Sequence, residues 1–120
     1  MELLYANVFV SDLSRAMAFF QETLGLALEH GAPEHGYASF AAGPIRLGLA
    51  VAGPDQGELV GRHTGLGFMV ADLAAEHARL AAKGVHFEME PTRQPWGGFM
   101  ALFADPDHNV YYLDEIQPHD

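Results

Sequence analysis

From Leu4 to Val10 the chain alternates, with Leu4, Ala6, Val8 and Val10 on one face of an extended segment and Tyr5, Asn7 and Phe9 on the other. A period of two is the mark of a strand with unlike faces, and the aliphatic set identifies the core side. After residue 12 the period changes. Leu13, Ala16, Met17, Phe20 and Leu24 recur at helical spacing, Ser11 or Asp12 offers an oxygen to the unpaired N–H groups of a first turn, and Gly25 supplies a left-handed stop. The spacing predicts a helix over about 13–24, followed by short strands at 27–29, 37–41 and 45–51.

The same order returns half a chain later. Val10-Ser11-Asp12-Leu13 is matched by Val70-Ala71-Asp72-Leu73, an offset of 60 residues in a chain of 120. Thr64, Leu66, Phe68 and Val70 alternate with Gly65, Gly67 and Met69. Asp72 then caps a helix that carries Leu73, His77, Leu80 and Ala81 inward and stops at Gly84. Strands are expected at 86–88, 99–103 and 110–114, so each half reads βαβββ. The halves run over about 1–52 and 63–117, with a turn-rich joint at about 53–62 that includes Gly53-Pro54-Asp55-Gln56-Gly57. A unit of this size does not easily bury its hydrophobic face alone. One domain over residues 1–120, built from two related modules, is therefore expected.

Charge narrows the functions. Sixteen acidic against six basic side chains give a formal −10, which repels nucleic-acid phosphate and anionic lipid headgroups. The acidity serves solubility, or it steers a cationic small molecule toward the protein; the sequence leaves both open. The start, Met1-Glu2-Leu3-Leu4-Tyr5, has neither the basic region nor the apolar run of a signal peptide, and no apolar stretch reaches spanning length, so a cytoplasmic setting is expected. Without cysteine there are no disulfides, thiolate metal sites or cysteine nucleophiles. Gly-x-Ser-x-Gly elbows, phosphate-cradling glycine loops and His-Glu-x-x-His helices are also absent from the sequence, and no catalytic residue can be assigned.

The order of strand, Val-x-Asp-Leu, a helix with Ala18-Phe19-Phe20, Leu24-Gly25-Leu26 and a late Asp105-Pro106-Asp107-His108-Asn109 before a terminal strand resembles the vicinal oxygen chelate superfamily. This superfamily comprises glyoxalases, bleomycin-resistance proteins and extradiol dioxygenases, and the resemblance covers essentially the whole chain. It implies an α+β fold in which two tandem βαβββ modules form a curled mixed sheet, a half-barrel with a ligand cleft inside and helices outside, usually in a homodimer.

The enzymes of this superfamily hold a divalent ion on the cleft faces of the first and last strands of each module, generally through histidine early and glutamate late. By that resemblance the ligand positions fall here on Tyr5, on Gly65, on Gly48 or Arg46, and on Tyr112. None of these supplies the imidazole or carboxylate that such an ion requires. A slip of two residues keeps a side chain on the same face, which leaves a rearranged cluster of His63, Asp114 and Asn7 as the alternative. His77 reads as a packed helix residue, and His30, His35, His86, His108 and His119 as surface residues at strand ends or turns. Glu88 and Glu90 share one strand face and read as solvent-facing carboxylates. Asp105 to Asn109 reads as a tight turn whose aspartates bond nearby backbone N–H groups.

The inward face then consists of Tyr5, Asn7, Phe9, Arg46, Gly48, Gly65, Gly67, Met69 and Tyr112, with Trp96, the only tryptophan, in the turn-rich segment Gln94-Pro95-Trp96-Gly97-Gly98. Rings, gaps and few polar anchors make a small-molecule pocket. The glycines keep space open or mark bulges and close packing; Trp96 closes over a planar ligand or plugs its loop. The first expectation is a metal-independent binding protein that resembles the bleomycin-resistance branch. It needs no cofactor and sequesters an aromatic compound, with a cationic one as the option the acidity adds. The rivals are a glyoxalase-like lyase or dioxygenase with a rearranged divalent ion, and an interaction module whose cleft is filled by Tyr5, Met69 and Tyr112.

Overall fold

Each half of the chain folds as a four-stranded mixed sheet with one helix in the computed structural model, which describes residues 1–116. His119 and the expected end of the second module at 117 lie outside the described residues. The fold class is α+β in two tandem βαβββ modules. The first contains β1 (Tyr5–Val10), α1 (Leu13–Ala18), β2 (Leu28–Ala32), β3 (Tyr37–Ala42) and β4 (Ile45–Val51). The second contains β5 (His63–Val70), α2 (Leu73–Ala82), β6 (His86–Arg93), β7 (Phe99–Ala104) and β8 (Val110–Glu115). The strand orders are β1-β4-β3-β2 and β5-β8-β7-β6, so the same topology occurs twice. By their contacts the residues divide into two units, Met1–Arg62 with Pro106–His108, and His63–Asp105 with the residues from Asn109 onward.

In each sheet the first strand pairs in parallel with the last, β1 with β4 and β5 with β8, and every other pairing is antiparallel. The alternation seen in the sequence separates the faces. Val8 and Val10 of β1 are buried, whereas Tyr5 and Asn7 on the other face are exposed. Phe20, Phe40 and Leu49 are fully buried in the first unit, and Leu73, Leu80, Phe103 and Tyr111 in the second. Phe103 and Tyr111 stack at 5.2 Å between ring centroids. Burying side chains of this size stabilises by about 1.5–3 kcal/mol each before conformational entropy is counted.

Both helices begin as their sequences predict. The Asp12 carboxylate accepts from the Arg15 N–H at 3.0 Å, and that of Asp72 accepts from the Ala75 N–H at 3.0 Å. The first helix departs from the expected span of 13–24, because α1 ends at Ala18 and continues as one π turn over Phe19–Thr23. Phe19 and Phe20 are both buried at this wider turn, with their rings edge to face at 5.3 Å. Strands β2 and β6 also run longer than expected. Both are edge strands, where the irregular pairing of β2 and the Pro91 within β6 leave no interior ladder position unfilled.

The tight turn after β7 is held from both ends. The Asp105 carboxylate, 4% exposed, accepts from the Asn109 N–H and side-chain amide, each at 3.0 Å, and from the Tyr111 hydroxyl at 2.8 Å. Pro106–His108 belongs to the first unit, where Asp107 accepts from the Ser11 N–H at 3.0 Å and from the Ser11 hydroxyl, and pairs with Arg15 at 3.1 Å. His108 adopts a positive φ of 65° there.

Candidate ligand-binding cavity

On the face of the second sheet opposite Phe103 and Tyr111 lies a cavity of about 740 Å³. The register explains its floor. Asp114 pairs with Met69 of β5 on one side and Met100 of β7 on the other, and Tyr112 pairs with Gly67 and Leu102. Period-two geometry therefore puts Met69, Met100, Tyr112 and Asp114 on one face. Ile116 and Glu115 at the end of β8 and the segment from Trp96 to Phe99 complete the lining. Methionine and aromatic surfaces suit an apolar guest, and the thioethers adapt to its outline.

Trp96 stands at the third position of a β-turn closed by the Gly97 N–H donating to the Gln94 carbonyl at 2.9 Å. The Gln94 N–H reaches the Gly98 carbonyl at 2.7 Å, and Gly97 takes a φ of +95°, a conformation open to glycine. The Arg93 guanidinium braces the segment. It donates to the Gly97 carbonyl at 3.1 Å and lies 4.6 Å from the centre of the Phe99 ring. Trp96 is 75% exposed, so it borders the cavity as a ring in solvent and is not a plug under its loop. Met69 and Tyr112 likewise border the space and leave it open.

Asp114 is the polar group on the floor. Burial pushes its carboxyl above the ordinary value of 3.8, and no cation or hydrogen-bond donor among the described residues offsets that effect. The lining includes Glu115 as a second carboxylate and contains neither lysine nor arginine.

The other residues singled out in the sequence take varied places. Gly48 is buried, and a Cβ there would meet the Asn7 Oδ1 at 2.1 Å and the Tyr37 hydroxyl at 2.6 Å; side chains fill its gap. Gly65 sits at a bulge with a φ of +74°, its N–H donating to His63 Nδ1 at 3.1 Å. A Cβ at Gly67 would make ordinary van der Waals contacts with the Tyr112 Cβ at 3.5 Å and Asp114 Oδ2 at 3.7 Å, so a methyl-sized group is accommodated there without a clash. Tyr5 and Arg46 pair in register in the first unit and are both exposed, and Phe9 is half-buried two residues beyond Asn7. His77 is half-buried with its ring edge-on to Phe87 at 4.6 Å, and Glu88 and Glu90 are exposed.

The sequence profile of the Glyoxalase/Bleomycin resistance protein/Dioxygenase superfamily matches residues 2–111. The chain belongs to that superfamily. It is 31% identical to the uncharacterized protein YraH of Bacillus subtilis (strain 168), over 92% of this chain and 94% of that protein. Among solved structures it resembles TnmS3, an antibiotic binding protein from Streptomyces sp. CB03234, at 32% identity and a TM-score of 0.82, covering 98% of this chain and 97% of that one. A lactoylglutathione lyase from Agrobacterium tumefaciens shares the fold at a TM-score of 0.78 and 21% identity, over 95% of this chain and 92% of that one.

The donor chemistry of this member does not fit the superfamily's divalent ion. Two phenols, a glycine at a bulge, and either a filled glycine gap or a guanidinium offer no carboxylate or free imidazole. Of the rearranged set, Asn7 lies in the first unit, and His63 and Asp114 belong to opposite ends of the β5–β8 pair. His63 is level with Val110 and Asp114 with Met69, so their levels are four residue steps apart along β8, about 13 Å of strand. The His63 ring instead packs against Tyr112 at 5.0 Å. Among the described residues no group of three or more His, Cys, Asp or Glu side chains is placed to hold a metal ion. No described helix is long and apolar enough to cross a membrane.

Gly97, Gly98, Phe99, Met100, Glu115 and Ile116 are cavity residues that the sequence reading did not select. Met100 was detectable, because it alternates with the buried Ala101 and Phe103 and so shares the face of Tyr112.

Proposed function

We propose that this superfamily member is a metal-independent binding protein that sequesters an aromatic small molecule in the cavity of its second module. The observation that carries the reading is the wall itself: Trp96, Phe99 and Tyr112 supply ring surface, Met69 and Met100 adapt to a guest, and a volume of about 740 Å³ suits a fused-ring compound. The likeness to an antibiotic binding protein at 32% identity supports it. Binding is then the activity, and no bond is made or broken. The acidic surface raises the encounter rate of a cationic ligand by steering. The setting is cytoplasmic and the working form a homodimer with one such cavity per chain, which light scattering on the purified protein tests directly.

The decisive experiment uses the single tryptophan as reporter. Trp96 emission is titrated with three tricyclic probes of one shape, 9-anthracenemethanol, 9-(aminomethyl)anthracene and 9-anthroate, while native mass spectrometry examines whatever co-purifies. Saturable quenching by at least one probe is expected. Calorimetry on Trp96→Ala should show that probe bound about tenfold more weakly, the equivalent of ~1.4 kcal/mol of stacking and contact area. No saturable response to any probe, with no small molecule carried through purification, overturns the proposal.

A further inference from the structure

We infer that Asp114 is the specificity-determining residue of this cavity and selects aromatic ligands that carry a protonated amine. The inference rests on the cavity being a ligand site and adds which ligands it prefers. Three observations carry it. The carboxylate faces the cavity from the centre of the floor, between Met69 and Met100, and has no hydrogen bond or ion pair among the described residues. A half-buried charge left without a partner is costly, and a ligand cation that pairs with it relieves that cost at the moment of binding. Gly67 across the strand pair places no side chain beside this carboxylate, and a Cβ there would stand in ordinary contact with Asp114 Oδ2 at 3.7 Å. A ligand ammonium approaching from that side meets no side chain of residue 67.

The charges around Asp114 point the same way. On its own strand Tyr112 supplies no cation and Glu115 is a second carboxylate. Strand β7 carries no titratable side chain over Phe99–Ala104, and on β5 the imidazole of His63 packs against Tyr112 at the far end. Arg93, at the start of the Trp96 segment, is committed to the Gly97 carbonyl and the Phe99 ring. Among the described residues of the cavity lining no cation therefore competes with a ligand for the carboxylate. The rings of Trp96 and Tyr112 border the same space and favour a cation over an anion in their vicinity.

The test compares the three anthracene probes, which differ only in the substituent at carbon 9 (an aminomethyl, a hydroxymethyl or a carboxylate group), on the intact protein and on Asp114→Asn. The parent is expected to bind the amine at least tenfold more tightly than the alcohol and the carboxylate most weakly of the three. In Asp114→Asn the preference of amine over alcohol should fall to within about twofold while alcohol binding persists, following loss of the charge-assisted bond. Gly67→Val, which fills the space beside the carboxylate without touching its charge, should also weaken amine binding, giving a second route if Asp114→Asn folds poorly. Equal binding of amine and alcohol by the parent, or a preference that survives in Asp114→Asn, overturns this inference and leaves the cavity standing as a site. Binding of none of the three removes the site and the inference together.

Discussion

The Trp96 indole lies over Gly98, with its Nε1 2.7 Å from the point where a Cβ on residue 98 would stand. Gly98 is thus the seat of the ring that borders the cavity, and its own φ is not left-handed, so alanine there strains no backbone. Gly98→Ala should push the indole aside, weaken the anthracene probes several-fold and shift Trp96 emission. As an exposed change at a loop it should alter stability by no more than about 0.5 kcal/mol. Shifted emission with unchanged affinity would separate the ring's position from binding.

Asp105 holds Asn109 and Tyr111 together within the second unit. Its carboxylate is buried and accepts from the Asn109 backbone, the Asn109 amide and the Tyr111 hydroxyl. Asp105→Ala removes three hydrogen bonds inside the protein and should cost about 3 kcal/mol, whereas Tyr111→Phe, which removes one donor and keeps the ring, should cost about 1–2 kcal/mol. Urea unfolding monitored by circular dichroism measures both. A loss at Asp105 below that at Tyr111 would show that water reaches this carboxylate.

Gly48 shows what the sequence conveys and what it does not. Its position on the inner face follows from alternation along β4, but whether the gap stays empty depends on which residues the register sets beside it. Here Asn7 and Ser39 flank it, and the Tyr37 hydroxyl reaches Asn7 Oδ1 at 3.4 Å, filling the space. Local signals sufficed for Asp12 and Asp72, whose capping acts within four residues, and for Val8 and Val10, whose burial follows the period of two. They did not reveal the π turn at Phe19 and Phe20, for which no capping or spacing signal stands in the sequence. Asp114 lay in plain view as a carboxylate on the Tyr112 face, yet only its flanking methionines and lack of a partner distinguish a ligand anchor from one donor of an ion site.

Because Gly48 is filled by its neighbours, Gly48→Ala should destabilise the protein by about 1–3 kcal/mol, the usual cost of overpacking. The double variant Gly48→Ala with Asn7→Ala should recover part of that loss, since the closest contact, 2.1 Å to Asn7 Oδ1, disappears. A coupling energy of at least about 0.5 kcal/mol between the two sites is expected from chemical denaturation, and strict additivity would place the strain elsewhere.

The raised carboxyl of Asp114 fixes a sign for the pH dependence of stability. Burial favours the protonated form in the folded state, so between the unfolded value of 3.8 and the higher folded value the native protein binds more protons than the unfolded chain. The contribution of this residue to stability therefore falls as pH rises through that window, and above it the unpaired charge is a constant burden. Asp114→Asn lifts the burden: the variant should be modestly more stable than the parent at pH 7, with the advantage shrinking as pH falls toward 3.8. Parallel urea titrations from pH 7 to pH 4 measure the difference. An Asp114→Asn variant less stable than the parent at pH 7 would mean that the carboxylate has a stabilising partner in solution, in which case it is not waiting for a ligand.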